Sequence, residues 1–334
     1  MRGPAKTRLG ATSLAVVICG VLALAQPPQP FDALKAAPST VEGQQQPPAG
    51  RGAPGAAPDA QGRGQGRGQG RGGRAGGGPA RKRVLAWADT RNGVAQHESV
   101  GHALAIIERL GYESGMWDTF IRTDSNIIAA APKRTDGSPA SGGPSLSNVD
   151  AIFFMGHREV PLDDAQKAEL LQFVRDGHGF VAAHVGLTAL ESWPEFGDML
   201  GGRFDQHPIV GAGTIVNESP NFPATKHFPA TFAFNDEFYQ PKDLSRDKVE
   251  VLLRLDLTGV PANPALHLNG DYPLAWAKTY GKGRVFFGSF AHAAETWDLR
   301  AVQQMYFEAM RWALGLTDAT PSPHPMPPLA GAPK

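Results

Sequence analysis

Six of the ten histidines in this 334-residue chain stand at the ends of predicted strands or in loops of one predicted α/β region. They are His97, His157, His184, His207, His227 and His292. A neutral imidazole binds divalent metals and moves protons near neutral pH, so a convergent set of histidines is typical of a chemical site. The only cysteine, Cys19, lies in a predicted leader peptide. This excludes thiol nucleophiles and thiolate metal ligands from the folded region.

Three imidazoles and one carboxylate are expected to carry the chemistry. We predict His184, His207 and His292 as ligands of a divalent metal such as zinc, with one position open to water or substrate. The catalytic residues are predicted to be His184, Glu237 and His292. The same groups also suit metal-free acid–base chemistry, and the spacing alone leaves both possibilities open. No nucleotide cofactor is predicted.

The carboxylate is chosen from an acidic pair, Asp236 and Glu237, that follows the alternating run 231–234. Adjacent residues of an extended chain point to opposite sides, so only one of the two should face the site. Glu237 is our choice, and Asp236 is expected to shape the turn. We predict substrate contacts from His97, Asp236 and Trp87. The aromatic face of Trp87 can line a binding site, although most aromatics at such spacings belong to the core.

The first half of the folded region reads as alternating strands and helices. Predicted strands cover residues 84–88, 112–117, 151–155 and 179–184, and a helical pattern through Val100 and Leu110 ends at Gly111. Another helix, capped by the segment 161–164, stops at Gly177. Such an order predicts right-handed βαβ units in a parallel sheet, whose ligands bind beyond the carboxyl ends of the strands.

The second half consists mainly of short strands separated by turns. They are predicted at residues 214–216, 249–255, 273–279 and 284–289, before a closing helix over 299–314. We therefore expect one α/β domain with a flavodoxin-like, doubly wound parallel sheet, helices on both faces and an antiparallel β extension. Its predicted limits are residues 83–316, followed by a Pro-rich tail over 317–334.

The N-terminal part, residues 1–82, is not expected to form a folded domain. Residues 1–25 combine a basic start, an apolar stretch and an Ala-Leu-Ala end, which predicts a secretory signal peptide and an exported, periplasmic or extracellular protein. An uncleaved leader would be the only contact with a membrane. Residues 26–82, rich in Pro, Gly and Arg, are predicted to be a disordered linker.

Charge argues against a nucleic-acid-binding domain. Residues 84–334 contain 20 basic and 29 acidic side chains, a net charge of about −9. The Arg-Gly repeats at 63–74 could bind RNA, but a flexible tether fits an exported chain better.

Five segments occur in an order that resembles the ThuA-like (trehalose utilisation) family. These segments are Gly177–His184, Leu200–Phe204, His207–Pro208, Asn235–Tyr239 and Gly281–His292. Three departures from the family pattern are His178 within the glycine run, Asn221-Phe222-Pro223 in place of a His-Pro pair, and Val185 after the strand-end histidine.

The resemblance implies the fold of class I glutamine amidotransferases and an association with sugar metabolism. By position it points to His97, His184, His207, Asp236, Glu237 and His292. His184 stands where the amidotransferases place their nucleophilic cysteine, so glutamine hydrolysis is excluded. We expect a hydrolase, lyase or isomerase acting on a small carbohydrate, either a keto sugar or a glycoside. The alternative is a non-catalytic sugar-binding or envelope-associated module.

Overall fold

The computed structural model describes residues 80–91, 97–140, 142–267 and 269–327. The predicted signal peptide, all but the last three residues of the predicted linker, and the end of the C-terminal tail lie outside these residues. The nine strands are β1 (Lys82–Trp87), β2 (Trp117–Arg122), β3 (Ala151–Phe154), β4 (Gly179–Ala183), β5 (Arg203–Asn217), β6 (Thr231–Lys242), β7 (Glu250–Leu255), β8 (Pro273–Tyr280) and β9 (Gly283–Gly288). The helices are α1 (Ser99–Ser114), α2 (Asp164–Arg175), α3 (Pro194–Leu200) and α4 (Arg300–Ala313), with short 3₁₀ helices at His184–Thr188 and Ala294–Asp298.

All nine strands form one sheet in the order β2-β1-β3-β4-β9-β8-β7-β5-β6. The strands from β2 to β9 in that order are parallel, and every pairing from β9 through β8, β7 and β5 to β6 is antiparallel. This confirms the predicted fold class, a parallel α/β sheet with an antiparallel extension.

The parallel strands are buried on both faces, as their continuous apolar sequences require. One face packs against α2 and α3, where Phe154 and Phe180 contact Phe196. On the opposite face, Phe153 packs edge-on against Tyr306 of α4. Helices therefore cover both sides of the sheet, and its carboxyl edge is left for the site.

The start of β2 differs from the sequence prediction. Tyr112 belongs to α1, which continues to Ser114 and ends at Gly115 in a left-handed conformation (φ 68°). Gly111 does not end the helix. A β-carbon there would lie 2.3 Å from the indole nitrogen of Trp117, so this glycine allows the helix to approach β2 closely.

Strand β5 is much longer than its predicted core at 214–216. It spans Arg203–Asn217 and pairs with β6 along most of its length, whereas only Ile215–Asn217 pair with β7. The polar and glycine-containing first part of β5 has little strand propensity of its own, and its pairing with β6 stabilises it.

Beyond residue 316 the chain stays in contact with the domain. Arg284 donates hydrogen bonds to the carbonyl oxygens of Trp312 and Thr317, and the indole of Trp312 donates to the carbonyl of Ala319. Further along, the amide of Ser322 donates to Glu250. None of the helices in the described ranges is long and apolar enough to cross a membrane.

Candidate metal and catalytic site

Four side chains from separate parts of the chain converge at the carboxyl edge of the sheet. His97 precedes α1, His184 follows β4, Glu237 lies on β6 and His292 follows β9. Each offers one atom that can bind a metal, and these four atoms all lie within 4.8 Å of one another. We call this set the His/Glu cluster.

The distances within the cluster centre on the carboxylate. Glu237 Oε2 lies 2.9 Å from His292 Nδ1, 3.5 Å from His184 Nε2 and 4.0 Å from His97 Nε2. Ligands of a tetrahedral zinc ion, each about 2.0–2.1 Å from the metal, are separated from one another by about 3.3 Å. The four atoms are therefore spaced as a ligand set would be.

Strand order explains why two of the histidines meet. β4 and β9 are parallel neighbours, so the residues that follow them leave the sheet side by side, and His184 Nε2 lies 3.1 Å from His292 Nδ1. β6 belongs to the far end of the sheet, but it is tied to the same edge. The amide of Tyr239 on β6 donates a 3.1 Å hydrogen bond to the hydroxyl of Ser289, which directly follows β9.

His184 is held in one tautomer. Its Nδ1 lies 2.7 Å from the carbonyl oxygen of Ser289, which can only accept, so Nδ1 carries the proton and the Nε2 lone pair faces the cluster. The side chain is fully buried. Burial lowers the pKa of His184, although Glu237 and the Ser289 carbonyl act in the opposite direction. A neutral imidazole, oriented by a second hydrogen bond, is the usual form of a metal-binding histidine.

Glu237 is ionised, whereas His184 is neutral. Partial burial raises its pKa, but the contacts with His184 and His97 and the neighbouring charge of His292 outweigh this, and the net pKa lies well below its usual range. The carboxylate is therefore ionised at neutral pH and supplies the negative charge that a divalent ion needs.

Asp236 faces away from the cluster and positions it. Its carboxylate accepts hydrogen bonds from three backbone amides, those of Ala291 (2.7 Å), Glu237 (2.9 Å) and His292 (3.1 Å). Ala291 has a left-handed backbone (φ 81°), which turns the chain after β9 toward β6. One buried carboxylate therefore fixes the backbone of two cluster residues.

The comparisons with known proteins show the family of this chain. The family model described as trehalose utilisation, ThuA, matches residues 83–313. The chain belongs to the ThuA family. No match was found among curated proteins.

Two solved structures share the ThuA fold with this chain. A ThuA-like protein of Bacteroides uniformis is 22% identical, covers 72% of this chain and 95% of its own, and superposes with a TM-score of 0.57. A ThuA-like protein of Parabacteroides merdae is 15% identical, with coverage of 70% and 90% and a TM-score of 0.53. At these identities the likeness concerns the fold.

The His/Glu cluster differs in membership from the predicted ligand set. His97, predicted as a substrate contact, is one of the four converging residues. His207 is not. It lies on β5 with Nδ1 3.4 Å from Glu237 Oε1, and about half of its side chain (49%) is exposed. It therefore stands beside the cluster, on the opposite oxygen of the carboxylate.

Other predicted residues lie elsewhere. Trp87 has no exposed surface, and its ring packs against Phe154 in the core, so it offers a substrate no face. His227 donates a hydrogen bond from Nε2 to the carbonyl oxygen of Ala301 and is not one of the cluster residues. The ring of His157, by contrast, contacts that of His97 edge-on, with centroids 5.2 Å apart.

Tyr239 belongs to the site although the predicted set omits it. Its ring stacks on His184 at a centroid distance of 4.1 Å, and its hydroxyl lies 3.3 Å from His97 Nε2. The sequence contains the signal, because residues two apart on a strand share a face, and Tyr239 follows Glu237 by two.

A separate cleft of about 590 Å³ lies beyond the end of β2, among residues 122–148. Its lining includes four basic side chains but none of the cluster residues. The basic residues are Arg91, Arg122, Lys133 and Arg134. The cleft is therefore distinct from the His/Glu cluster.

Proposed function

We propose that this ThuA family member is a metal-dependent enzyme that acts on a keto sugar or a keto-glycoside. The observation that supports this most is the His/Glu cluster, in which three imidazole nitrogens and one ionised carboxylate oxygen converge within 4.8 Å. Imidazole and carboxylate together suit borderline divalent ions such as zinc, manganese or iron(II).

The ligands would be His97, His184, Glu237 and His292. A bound divalent ion would polarise a sugar carbonyl and so acidify the carbon next to it. The protein supplies the rigid geometry, since Ser289 orients His184 and Asp236 orients Glu237 and His292.

Proton transfer needs a base outside the ligand set, and His207 fits this role. It is half exposed, and its Nδ1 is close to the Glu237 oxygen that is farther from the histidines, so it can exchange a proton with both substrate and solvent. Removal of a proton next to a carbonyl is the step that elimination and isomerisation share. The ring of Tyr239 stacks on that of His184 and lies 6.0 Å from that of His207.

The experiment is a metal and turnover assay on the purified full chain. Metal content is measured by mass spectrometry, and a 3-keto-glucoside and its parent glucoside are followed by NMR. We expect near-stoichiometric metal and conversion of the keto-glycoside, with loss on chelation and recovery when the ion is restored. His184→Ala and His292→Ala should lose both metal and turnover.

Full activity in both variants would refute the catalytic assignment. Sugar binding without turnover in a metal-replete sample would favour the non-catalytic sugar-binding module instead.

The proposal includes export, which rests on the leader pattern of residues 1–25. Sequencing the N-terminus of the mature protein tests it directly. Cleavage after Ala25 is the expected result, and an intact Met1 in a cytoplasmic fraction would contradict export.

A further inference from the structure

The cleft beyond β2 has a charge opposite to that of the domain around it. Residues 84–334 carry a net charge of about −9, yet the described lining of this cleft contains four basic side chains and a single acidic one, Asp124. Its volume of about 590 Å³ lies within the range of small-molecule binding sites. A positive cleft in an acidic domain attracts anions from solution.

The cleft lies at the edge of the sheet where doubly wound folds bind ligands. Arg122 is the last residue of β2, and Arg91 follows the end of β1, so both stand at the carboxyl ends of neighbouring parallel strands. β2 and β3 lie on opposite sides of β1, so the chain changes direction across the sheet at this point. Ligands bind in the crevice that such a crossover leaves.

Two of the arginines are held in place by carboxylates. Asp89 has no exposed surface, and it accepts hydrogen bonds from the amide (2.8 Å) and the guanidinium (3.2 Å) of Arg91 and from the hydroxyl of Ser125 (2.7 Å). Burial raises the pKa of Asp89, but these hydrogen bonds lower it overall, so the carboxylate is ionised. Arg122 pairs with Asp124 at 3.2 Å. Cations that are positioned in advance bind a ligand at a smaller entropic cost.

The other two cations line the cleft from a short hairpin, residues 132–140. The amide of Ala140 donates a 2.9 Å hydrogen bond to the carbonyl of Pro132, which closes the hairpin. Lys133 and Arg134 are exposed, and neither has an ion-pair partner among the residues that the structure describes. Their charges are therefore left for an anion in the cleft.

The charge of the lining matches that of one phosphate group. The four cations, less Asp124 and the buried Asp89, leave an excess of two positive charges. A phosphate monoester carries about 1.5–2 negative charges at neutral pH, whereas a carboxylate carries one. Three of the cations are arginines, and a guanidinium binds two phosphate oxygens through parallel hydrogen bonds.

The rest of the lining favours a sugar over a nucleoside. The amide of Asn126 and the hydroxyl of Thr135 line the cleft, and such groups can bind sugar hydroxyls. None of the described lining residues is aromatic, whereas nucleotide bases commonly stack on aromatic rings. The cleft is also larger than a phosphate ion requires, so the ligand has further atoms beyond its phosphate.

We propose that this cleft is a second binding site, which takes a phosphorylated sugar or polyol. The four basic side chains hold its phosphate, and the amide and hydroxyl groups of the lining contact its hydroxyls. None of the cluster residues lines the cleft, so this binding is independent of the metal and of the proposed reaction.

The test is calorimetry on the purified full chain, with D-glucose 6-phosphate, neutral D-glucose and AMP as probes. The protein is first treated with a chelator and dialysed, so that no metal in the cluster binds the phosphate. We expect glucose 6-phosphate to bind at least about tenfold more tightly than glucose, since only the former carries a charge that arginines recognise. AMP should bind less tightly than glucose 6-phosphate, and added salt should weaken the binding of both.

The double variant Lys133→Ala/Arg134→Ala tests whether the phosphate lies in the cleft. Both side chains are exposed, so the unfolding temperature should be kept, while the affinity for glucose 6-phosphate should fall by at least about tenfold. Arg109→Ala/Lys226→Ala is the matched control. It removes two exposed cations from outside the lining and changes the net charge equally, so the affinity should stay within about twofold of the wild type.

Equal binding of glucose and glucose 6-phosphate by the wild type would overturn the inference. Equal losses of affinity in the two double variants would do the same, because they would show a general attraction of charge. Tighter binding of AMP than of glucose 6-phosphate would overturn the assignment of a sugar. These outcomes require no metal and no turnover, so they are distinguishable from failure of the proposed function.

Discussion

The imidazole of His184 donates a 2.7 Å hydrogen bond from Nδ1 to the carbonyl oxygen of Ser289, across the pair of strands β4 and β9. The carbonyl cannot be removed by substitution, so the tautomer of His184 is set by the backbone. This relationship leaves one nitrogen of a fully buried imidazole for the cluster, and the predictions below depend on that geometry.

Metal content should distinguish His97 from His207. The nitrogen of His97 is one of the four converging atoms, whereas His207 contacts only the other oxygen of Glu237. We expect His97→Ala to weaken metal binding by at least tenfold and His207→Ala to retain the metal, as measured by competition with a colorimetric chelator. If His207→Ala lost the metal and His97→Ala kept it, the ligand set would be the one predicted from sequence.

Asp236 is expected to act through the backbone it holds. In Asp236→Asn one carboxylate oxygen is replaced by an NH₂ group, so at least one of the three amides loses its acceptor, which should cost about 2 kcal/mol of unfolding free energy. Metal affinity should fall as well, since Glu237 and His292 lose their anchor. Urea unfolding measures the first effect and chelator competition the second.

Asp247→Asn is the control for this substitution. Asp247 is exposed, so its change should stay within about 0.5 kcal/mol. An Asp236→Asn protein as stable as the wild type would show that the three amide contacts do not hold the site.

His227 should make stability depend on pH away from the site. Burial lowers its pKa from the usual 6.5, despite the hydrogen bond with the Ala301 carbonyl. Below pH 6.5 the unfolded chain binds a proton that the folded chain does not, so stability falls as the pH is lowered. The slope contributed by one proton is at most about 1.4 kcal/mol per pH unit.

The check is urea unfolding of metal-free protein between pH 7 and 5. Replacement of the imidazole in His227→Phe should reduce the slope in this window by up to that of one proton. Equal slopes for wild type and His227→Phe would contradict the prediction.

Two glycines of helix α1 should respond to alanine with opposite signs. A β-carbon at Gly101 meets nothing within 4 Å, so Gly101→Ala should stabilise the protein by about 0.5–1 kcal/mol through helix propensity. At Gly111 the β-carbon would lie 2.3–2.7 Å from the indole of Trp117, which is buried, and we expect a loss of about 1–3 kcal/mol. Thermal unfolding of the two variants measures both effects, and destabilisation by Gly101→Ala would contradict this account of the helix.

The sequence is most informative where a pattern is local. The apolar runs of β1, β3 and β4 and the Asp163 cap of α2 were predictable, since burial on both faces and capping leave clear signatures. Glu237 was predictable from strand alternation.

Residues whose roles depend on tertiary packing were harder to predict. The start of β2 depends on the contact between Gly111 and Trp117, and the length of β5 depends on β6. The cluster contains His97 instead of the predicted ligand His207, and this depends on how far the segment before α1 reaches over the sheet. The sequence spacing does not reveal this contact, because His97 and Glu237 are far apart along the chain.

The order in which the cluster residues occur along the chain has a consequence for biosynthesis. His97 and His292 are 195 positions apart, and Glu237 lies between them on a strand of the antiparallel half. A growing chain that ends before residue 292 contains at most three of the four groups. It also lacks the end of the turn after β9, where the amide of His292 donates a hydrogen bond to Asp236. The complete cluster can exist only once nearly the whole domain has been synthesised and closed, so an ion that requires all four proposed ligands would bind only to a finished fold.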